Sequence, residues 1–213
     1  PVALMQEILM SLDTTAIVLA GGVSRRLGRD KAIEEVGGQP LIRRVLGRLT
    51  QVDVEILVVV NNADRVQDLT LPDGTQSTVD LFPGRGALGG IYTGLKAARN
   101  SWVIVVACDM PFLNVALLKY ILSLRGGVDV VVPLLGGATE PTHAAYSKAC
   151  LPIMERCLRT NDLKIAGFFD QVRVRYIEEA AIERFDPEHL SFFNVNTEQD
   201  LQSANQLALL RTD

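Results

Sequence analysis

The chain has 213 residues, of which 48% are hydrophobic and 22% are charged, and its formal net charge at pH 7 is −4. This composition is sufficient for one hydrophobic core, so we predict a single domain over residues 1–213. The negative net charge argues against nucleic-acid binding, and no apolar run is long enough to predict a transmembrane helix, so no membrane association is expected.

Short apolar runs alternate with helical patterns along the chain. The predicted strands span about 15–20, 55–60, 78–82, 102–107, 128–133, 142–146 and 172–176. The predicted helices span about 40–51, a stretch after residue 90 that ends near 98, 114–124, 148–158, 162–169 and a last segment from about 197. Apolar strands separated by helices are typical of a mainly parallel sheet that is covered on both faces. Such sheets bind ligands beyond the carboxyl ends of their strands, so polar residues at strand ends are the candidate site residues.

A strongly basic segment follows the first predicted strand, after a pair of glycines. Residues 21–31 contain four cations and one acid. Glycines at this point let the backbone come close to a ligand, and the cations would neutralise phosphate charge. We therefore expect a triphosphate site to which the contributing residues are Gly21, Gly22, Ser24, Arg26 and Lys31. The alternative is an ordinary strand–helix turn with solvated arginines, and the G-x-x-x-x-G-K-[ST] pattern of a Walker A loop is not present.

Asp109 follows the apolar strand 102–107 almost directly. A carboxylate at the carboxyl end of a strand, beside phosphates, is suited to bind Mg²⁺. The alternative is a helix N-cap, but Asn114 lies nearer to the next helical pattern and is the better candidate for that role. Asn196, in the segment F-F-N-V-N, is a candidate for a second oxygen ligand. Alternatively it caps the last helix, a role that Thr197 fills equally well.

A second glycine-rich segment, at 83–90, matches the G-x-G-x-x-G pattern of NAD(P)-binding folds and is followed by an acidic residue at about the right distance. Pro83 interrupts its junction with the preceding segment, which is a poor buried strand, and a better phosphate loop precedes it in the chain. We therefore interpret this segment as a loop that closes over the nucleotide or the acceptor. Asp80, just before it, is either a ligand of the nucleotide or the cap of a turn.

The segment L-A-G-G-V-S-R-R-L-G-R-D-K at 19–31 resembles the nucleotidyltransferase signature L-A-G-G-x-S-x-R-M-G-x-D-K. Three further segments narrow the resemblance to the molybdenum cofactor guanylyltransferase (MobA) family: V-V-N at 59–61, A-C-D-M-P at 107–111 and F-F-N-V-N-T-E-Q-D-L at 192–201. The last of these is the most discriminating. The chain departs from the family pattern at Leu27, where Met is usual, and at Ala87, where the family has Pro.

This resemblance implies an α/β fold, a Rossmann-like three-layer α/β/α sandwich with a mainly parallel central sheet. It also implies that Asp109 holds Mg²⁺, and that the residues in contact with GTP are Leu19, Ala20, Gly21, Lys31, Asn61 and Asp80. In the implied reaction the terminal phosphate of molybdenum-loaded molybdopterin attacks the α-phosphorus of GTP and pyrophosphate leaves. GTP and molybdopterin are then the substrates, and molybdoenzyme maturation proteins are expected partners.

Three other functions remain open at this point. One is the same chemistry with CTP or with a different phosphate acceptor. The others are an NAD(P)-dependent oxidoreductase that uses the second glycine-rich segment, and a non-catalytic nucleotide-binding protein.

Three cysteines without a C-x-x-C pair are typical of a reduced, cytoplasmic protein.

Overall fold

The computed structural model describes residues 13–21 and 30–210. The strands within these ranges are β1 (Thr14–Leu19), β2 (Glu35–Val36), β3 (Gln39–Pro40), β4 (Glu55–Val60), β5 (Gln76–Val79), β6 (Trp102–Ala107), β7 (Val130–Leu135), β8 (Ala138–Thr139), β9 (His143–Ser147) and β10 (Val174–Ile177). An eight-stranded sheet has the order β10-β7-β9-β6-β1-β4-β5, with β8 paired to β7, and β2 and β3 form a separate hairpin.

The central sheet is mainly parallel, as predicted. β1 runs parallel to both of its neighbours, β4 and β6, and the pairs β4–β5 and β7–β10 are also parallel. β9 runs antiparallel to β6 and β7, so that His143 at its start pairs with Val106 near the end of β6. The carboxyl ends of β1, β4, β5 and β6 therefore meet the amino end of β9 at one edge of the sheet.

Helices cover both faces of this sheet. They are α1 (Leu41–Thr50), α2 (Asp64–Asp68), α3 (Gly86–Ala97), α4 (Val115–Ser123), α5 (Leu151–Thr160), α6 (Glu179–Ile182) and α7 (Glu198–Leu210). None of the helices in the described ranges is both long and apolar enough to cross a membrane.

Alternate side chains of the strands point into two separate cores. In β1, Ala16 and Val18 pack with residues of α1, α4 and α6, whereas Ile17 packs with residues of α3 and α5. This alternation is the consequence of the two-residue period of a strand whose faces are both buried. The three-layer α/β/α arrangement is therefore confirmed, and α7 adds a third, smaller cluster around Val36, Leu41 and Val195.

Helix α3 lies unusually close to β1. A Cβ atom on Gly94 would lie 2.6 Å from Ile17 Cγ2, and one on Gly90 would lie 2.9 Å from Leu19 Cδ2. The absence of side chains at these two positions permits the close approach of helix and strand.

The structure differs from the sequence-based prediction in its shorter elements. The helix predicted at 162–169 is a 3-10 helix over Ile165–Gln171, and the helix predicted from 148 begins with a 3-10 turn over Lys148–Cys150. The β2–β3 hairpin and α2 were not predicted. Elements of two to five residues are too short to show a periodic pattern of apolar residues, which is why only the longer helices and strands could be predicted.

Candidate nucleotide-binding site

A cavity of about 500 Å³ lies at the edge of the sheet where the parallel strands end. Leu19 ends β1, Asn61 follows β4, Asp80 follows β5 and Asp109 follows β6, and all four line this cavity. Gly21 and Lys31 line it as well. The topology therefore brings six of the predicted site residues together, as expected for a sheet that binds its ligand at the carboxyl edge.

Lys31 connects the predicted metal ligands. Its Nζ lies 2.9 Å from Asp109 Oδ2 and also donates a hydrogen bond to Asn196 Oδ1. The side chains of Lys31 and Asp109 are 15% and 16% exposed, so this ion pair is largely shielded from solvent and still open to the cavity. Lys31 and Asp109 thus line the cavity, and Asn196, which does not line it, is held beside them by its hydrogen bond from Lys31.

The backbone holds Asn196 beside Asp109. Val195 N donates to Asp109 O at 2.9 Å, which ties the segment before α7 to the end of β6. Thr197 Oγ1 accepts a hydrogen bond from Asp200 N at 3.1 Å, while Asp200 Oδ2 accepts from Thr197 N at 2.8 Å and from Asn196 N at 3.0 Å. This reciprocal pattern is a capping box. Thr197 is therefore the cap of α7, and the side chain of Asn196 is directed to Lys31 instead.

The buried carboxylate of Asp186 stabilises the segment that precedes α7. Asp186 is 6% exposed, and its carboxylate accepts hydrogen bonds from Leu190 N at 3.1 Å and Ser191 N at 2.7 Å. Ser191 Oγ in turn accepts from Asn114 N at 3.0 Å, and Asn114 Oδ1 accepts from Leu117 N at 2.9 Å as the cap of α4. The expectation that Asn114, rather than Asp109, caps this helix is confirmed.

The residues around Asp109 fit a divalent cation. Its Oδ1 is buried and has no hydrogen-bond partner among the described residues, although its Oδ2 is paired with Lys31. Such an oxygen is costly to bury unless a cation or a donor approaches it, and carboxylate and amide oxygens are the ligands that Mg²⁺ and similar ions bind. Burial raises the pKa of the neighbouring Cys108 thiol to about 12, so this cysteine stays protonated and does not act as a nucleophile.

Asn61 and Asp80 lie at the ends of β4 and β5. In the sheet, these two strands lie on the other side of β1 from β6, which leads to Asp109. Asn61 Oδ1 is buried and has no hydrogen-bond partner among the described residues. Asp80 Oδ1 accepts hydrogen bonds from Phe82 N and Thr93 Oγ1, both at 2.9 Å, so Asp80 does cap a turn. Because Asp80 also lines the cavity, the turn fixes its carboxylate within reach of a ligand.

The second glycine-rich segment belongs to this same cavity. Gly84 and Gly86 both line it, and both have positive φ angles of 81° and 62°, which glycine adopts without strain. α3 begins at Gly86, and the strand before the segment, β5, is the last strand at its edge of the sheet. The segment therefore forms part of the wall of this cavity. Its closure over a nucleotide or an acceptor remains a prediction.

Four of the remaining predicted residues either do not line the cavity or lie outside the described residues. The side chain of Ala20 is buried, its N donates to Val59 O at 2.9 Å, and its O accepts from Arg65 Nε. Ala20 thus contributes to the strand end and not to the cavity lining. Gly22, Ser24 and Arg26 lie outside the described residues, and their roles remain predictions.

Sequence reasoning missed Arg65, which is 5% exposed and bonds to both Ala20 and Asp30. Arg65 is the second residue of α2 and is not part of a recognisable motif. The sequence shows only a basic residue shortly after the polar end of a buried strand, which is a weak signal.

The sequence and the fold of this chain have counterparts in known proteins. The MobA-like NTP transferase domain matches residues 16–174. The "Probable molybdenum cofactor guanylyltransferase" of Pelotomaculum thermopropionicum is 39% identical over 92% of this chain and 94% of its own length. The "Molybdenum cofactor guanylyltransferase" of Desulfosudis oleivorans is 37% identical over 89% and 93%.

A solved structure agrees with these relatives. The crystal structure of molybdopterin-guanine dinucleotide biosynthesis protein A from Archaeoglobus fulgidus has a TM-score of 0.82 and 28% identity, and the match covers 92% of this chain and 100% of that one. Fold and sequence lead to the same assignment. The chain belongs to the MobA-like NTP transferase family.

Proposed function

We propose that this chain transfers GMP from GTP to the terminal phosphate of molybdopterin, in its molybdenum-loaded form. A bond forms between an oxygen of the acceptor phosphate and the α-phosphorus of GTP. The bond from that phosphorus to the bridging oxygen of the β-phosphate breaks, and pyrophosphate leaves. The product is a molybdopterin guanine dinucleotide. The relatives named above carry this activity in their descriptions, and the chain matches them over most of its length.

The observation that carries the proposal is the ion pair of Lys31 and Asp109 on the wall of a cavity at the carboxyl edge of the sheet, with Asn196 hydrogen-bonded to the same lysine. A nucleoside triphosphate with its anionic acceptor brings several negative charges to one place. A site for it requires cations and cation ligands, and few apolar groups, at the point where the phosphates meet.

In the proposed mechanism the protein acts mainly by positioning and by neutralising charge. The acceptor phosphate is already anionic, so no side chain has to remove a proton from it. Lys31 donates hydrogen bonds to the phosphates, and Arg26 is proposed to do the same for the leaving pyrophosphate. Asn61 and Asp80 bind the nucleoside part, with Leu19 and Gly21 beside it. Such preorganised charges stabilise the transition state because they need no rearrangement during the reaction.

Asp109, through its unpartnered Oδ1, and Asn196 would hold a divalent cation, which we propose is Mg²⁺. When bound, this ion supplies charge neutralisation at the α-phosphate and the leaving group. Lys31 is paired with Asp109 Oδ2, so Oδ1 is the carboxylate oxygen that would be left for the cation.

The choice of substrate is tested by pyrophosphate release with each of the four NTPs, with and without molybdopterin. Release that requires both GTP and molybdopterin supports the proposal. A preference for CTP would redirect it to the related cytidylyl transfer, and binding of GTP without release would favour a non-catalytic nucleotide-binding protein.

The role of Asp109 is tested by Asp109→Asn, which keeps the size of the side chain and removes its charge. We expect the rate of pyrophosphate release to fall by about 100-fold or more, since loss of one group that stabilises transition-state charge has this order of effect. Asp73→Asn, at an exposed turn residue that does not line the cavity, is the matched control and should keep wild-type activity. Equal activity of the two variants would contradict the assignment of Asp109.

We further propose a cytoplasmic location and transfer of the product to molybdoenzyme maturation proteins. Both follow from the family's activity, because its product is a cofactor that other proteins take up. Co-purification of the chain with such proteins, compared with a variant that cannot make the product, is the measurement that checks the second point.

A further inference from the structure

Arg65 is a buried cation, whereas most of the other arginines in the described ranges are exposed or half-buried, with Arg44 also buried. It stands in α2, directly after the polar end of β4, and Asn62 Oδ1 accepts a hydrogen bond from its backbone N–H at 3.0 Å. Its side chain is 6% exposed and does not line the cavity. Burial of a cation costs free energy unless its N–H groups have hydrogen-bond acceptors, so the acceptors of Arg65 indicate its role.

The donors of Arg65 reach two separate segments of the chain. Nε donates to the carbonyl oxygen of Ala20, at the end of β1. Nη1 and Nη2 donate to the two carboxylate oxygens of Asp30, at 2.5 and 2.6 Å. A planar guanidinium fork that meets a carboxylate in this way fixes the direction as well as the distance of its partner.

Each partner of Arg65 is followed directly by a cavity residue. Ala20 precedes Gly21, and Asp30 precedes Lys31. Asp30 Oδ1 also accepts from Ala32 N at 3.0 Å and so caps the 3-10 turn over Lys31–Ile33. Arg65 therefore holds the strand end and the turn that carries Lys31 in one fixed arrangement.

We propose that Arg65 is a positioning residue of the nucleotide site. Its hydrogen bonds to Ala20 and Asp30 fix Gly21 and Lys31 at the separation that the triphosphate requires. Arg65 does not contact the nucleotide itself. This inference rests on the proposed function only in that the cavity binds a nucleoside triphosphate. Displacement of a binding group by about 1 Å is enough to lower activity by about 100-fold, so a residue of this kind has a measurable effect.

The chain contains a second arginine fork that serves as a matched control. Arg173 donates from Nε and Nη2 to the carboxylate of Asp129, at 2.9 and 2.8 Å. This pair joins residues just before β10 and β7, at the edge of the sheet opposite to the cavity. Arg173→Lys therefore removes a fork of the same hydrogen-bond pattern, from a side chain that is 68% exposed, without changing the nucleotide site.

The test compares Arg65→Lys with Arg173→Lys, and uses Asp30→Asn as the second variant of the pair. For each folded variant, the dissociation constant of GTP is measured by calorimetry, together with the melting temperature and the KM and kcat of pyrophosphate release. We expect Arg65→Lys and Asp30→Asn to weaken GTP binding about 10- to 100-fold, and the double variant to be no weaker than the worse single one, because the two side chains act as a unit. Arg173→Lys should bind GTP within about twofold of wild type.

Two outcomes separate the inference from the proposed function. If the wild-type chain binds GTP and Arg65→Lys and Asp30→Asn bind it equally well, the positioning role is overturned while the proposed function stands. If the wild-type chain binds none of the four NTPs, the proposed function fails, and the inference fails with it.

Discussion

His143 has an environment that is unusual for an ionisable residue. It is fully buried at the start of β9, its ring lies 4.7 Å from that of Phe192, and neither ring nitrogen has a hydrogen-bond partner among the described residues. Burial lowers the pKa of this histidine from 6.5 to about 4, although the nearby carboxylate of Asp186 acts in the opposite direction. The ring is therefore neutral in the folded protein at pH 7.

This histidine makes stability depend on pH. Between its ordinary pKa of 6.5 and its folded pKa of about 4, the unfolded chain binds a proton that the folded chain does not. The contribution of neutral His143 is therefore complete above pH 6.5 and decreases as the pH falls toward 4, by about 3 kcal/mol in all.

Urea unfolding of the wild type and of His143→Leu at pH 7 and at about pH 4.5 checks this prediction. We expect the free energy of unfolding of the wild type to decrease more between the two pH values, by about 2 kcal/mol, than that of the variant. Parallel pH profiles of the two proteins would show that His143 is not the group responsible.

At this scale the sequence predicted the residues that stand at strand ends and failed for those that act across the fold. Asn61 and Asp109 could be identified because each follows a predicted strand within two residues, and parallel strands bring their ends together. Asp80 lies at the predicted strand 78–82, just before the second glycine-rich segment. Arg65 could not be, because its partner Asp30 lies 35 residues away and nothing in the spacing shows the contact. Asp186 lies in an acidic stretch typical of a solvated surface, and only the folded chain shows that it is buried.

The contact between α3 and β1 depends on two glycines of the helix. Gly94→Ala would place a Cβ 2.6 Å from Ile17 Cγ2, in a fully buried region where neither the strand nor the helix can shift freely. We expect this substitution to lower the free energy of unfolding by about 1–3 kcal/mol, as for other overpacked cores.

Gly47→Ala in α1 is the matched control, since a Cβ there would have no atom within 4 Å. We expect it to raise the free energy of unfolding by about 0.5–1 kcal/mol, because alanine favours a helix more than glycine does. Denaturant unfolding of both variants measures the two values, and a Gly94→Ala protein as stable as the wild type would show that α3 can move away from β1.

Elements with long apolar patterns could be predicted closely. β4 and β6 match their predicted bounds of 55–60 and 102–107, and α1 begins and ends within one residue of the prediction. The direction of β9 could not be predicted, because an apolar strand has the same pattern whether it runs parallel or antiparallel to its neighbours. That direction matters for the site, since it brings Thr142 to the cavity.

In the molecule as a whole, the core residues and the candidate site residues lie at different parts of the sheet. Both faces of the sheet are used for the two cores, and the candidate site residues that line the cavity lie at one edge. The alternation of strands and helices could be predicted from the sequence, and it was sufficient to place the site at this edge. The order of the strands could not be predicted, because it depends on which strands pair and not on any single segment.

The lysine cluster of the site has a consequence for how the protein is made. Lys31 is separated from Asp109 by 78 residues and from Asn196 by 165 residues. On the ribosome, β1 obtains its second neighbour only when β6 has left the exit tunnel, and Lys31 obtains Asn196 only when that later segment has emerged as well. A nascent chain arrested before residue 196 emerges therefore lacks one of the three side chains of this cluster, so the proposed nucleotide site is completed only after the central strands have been made.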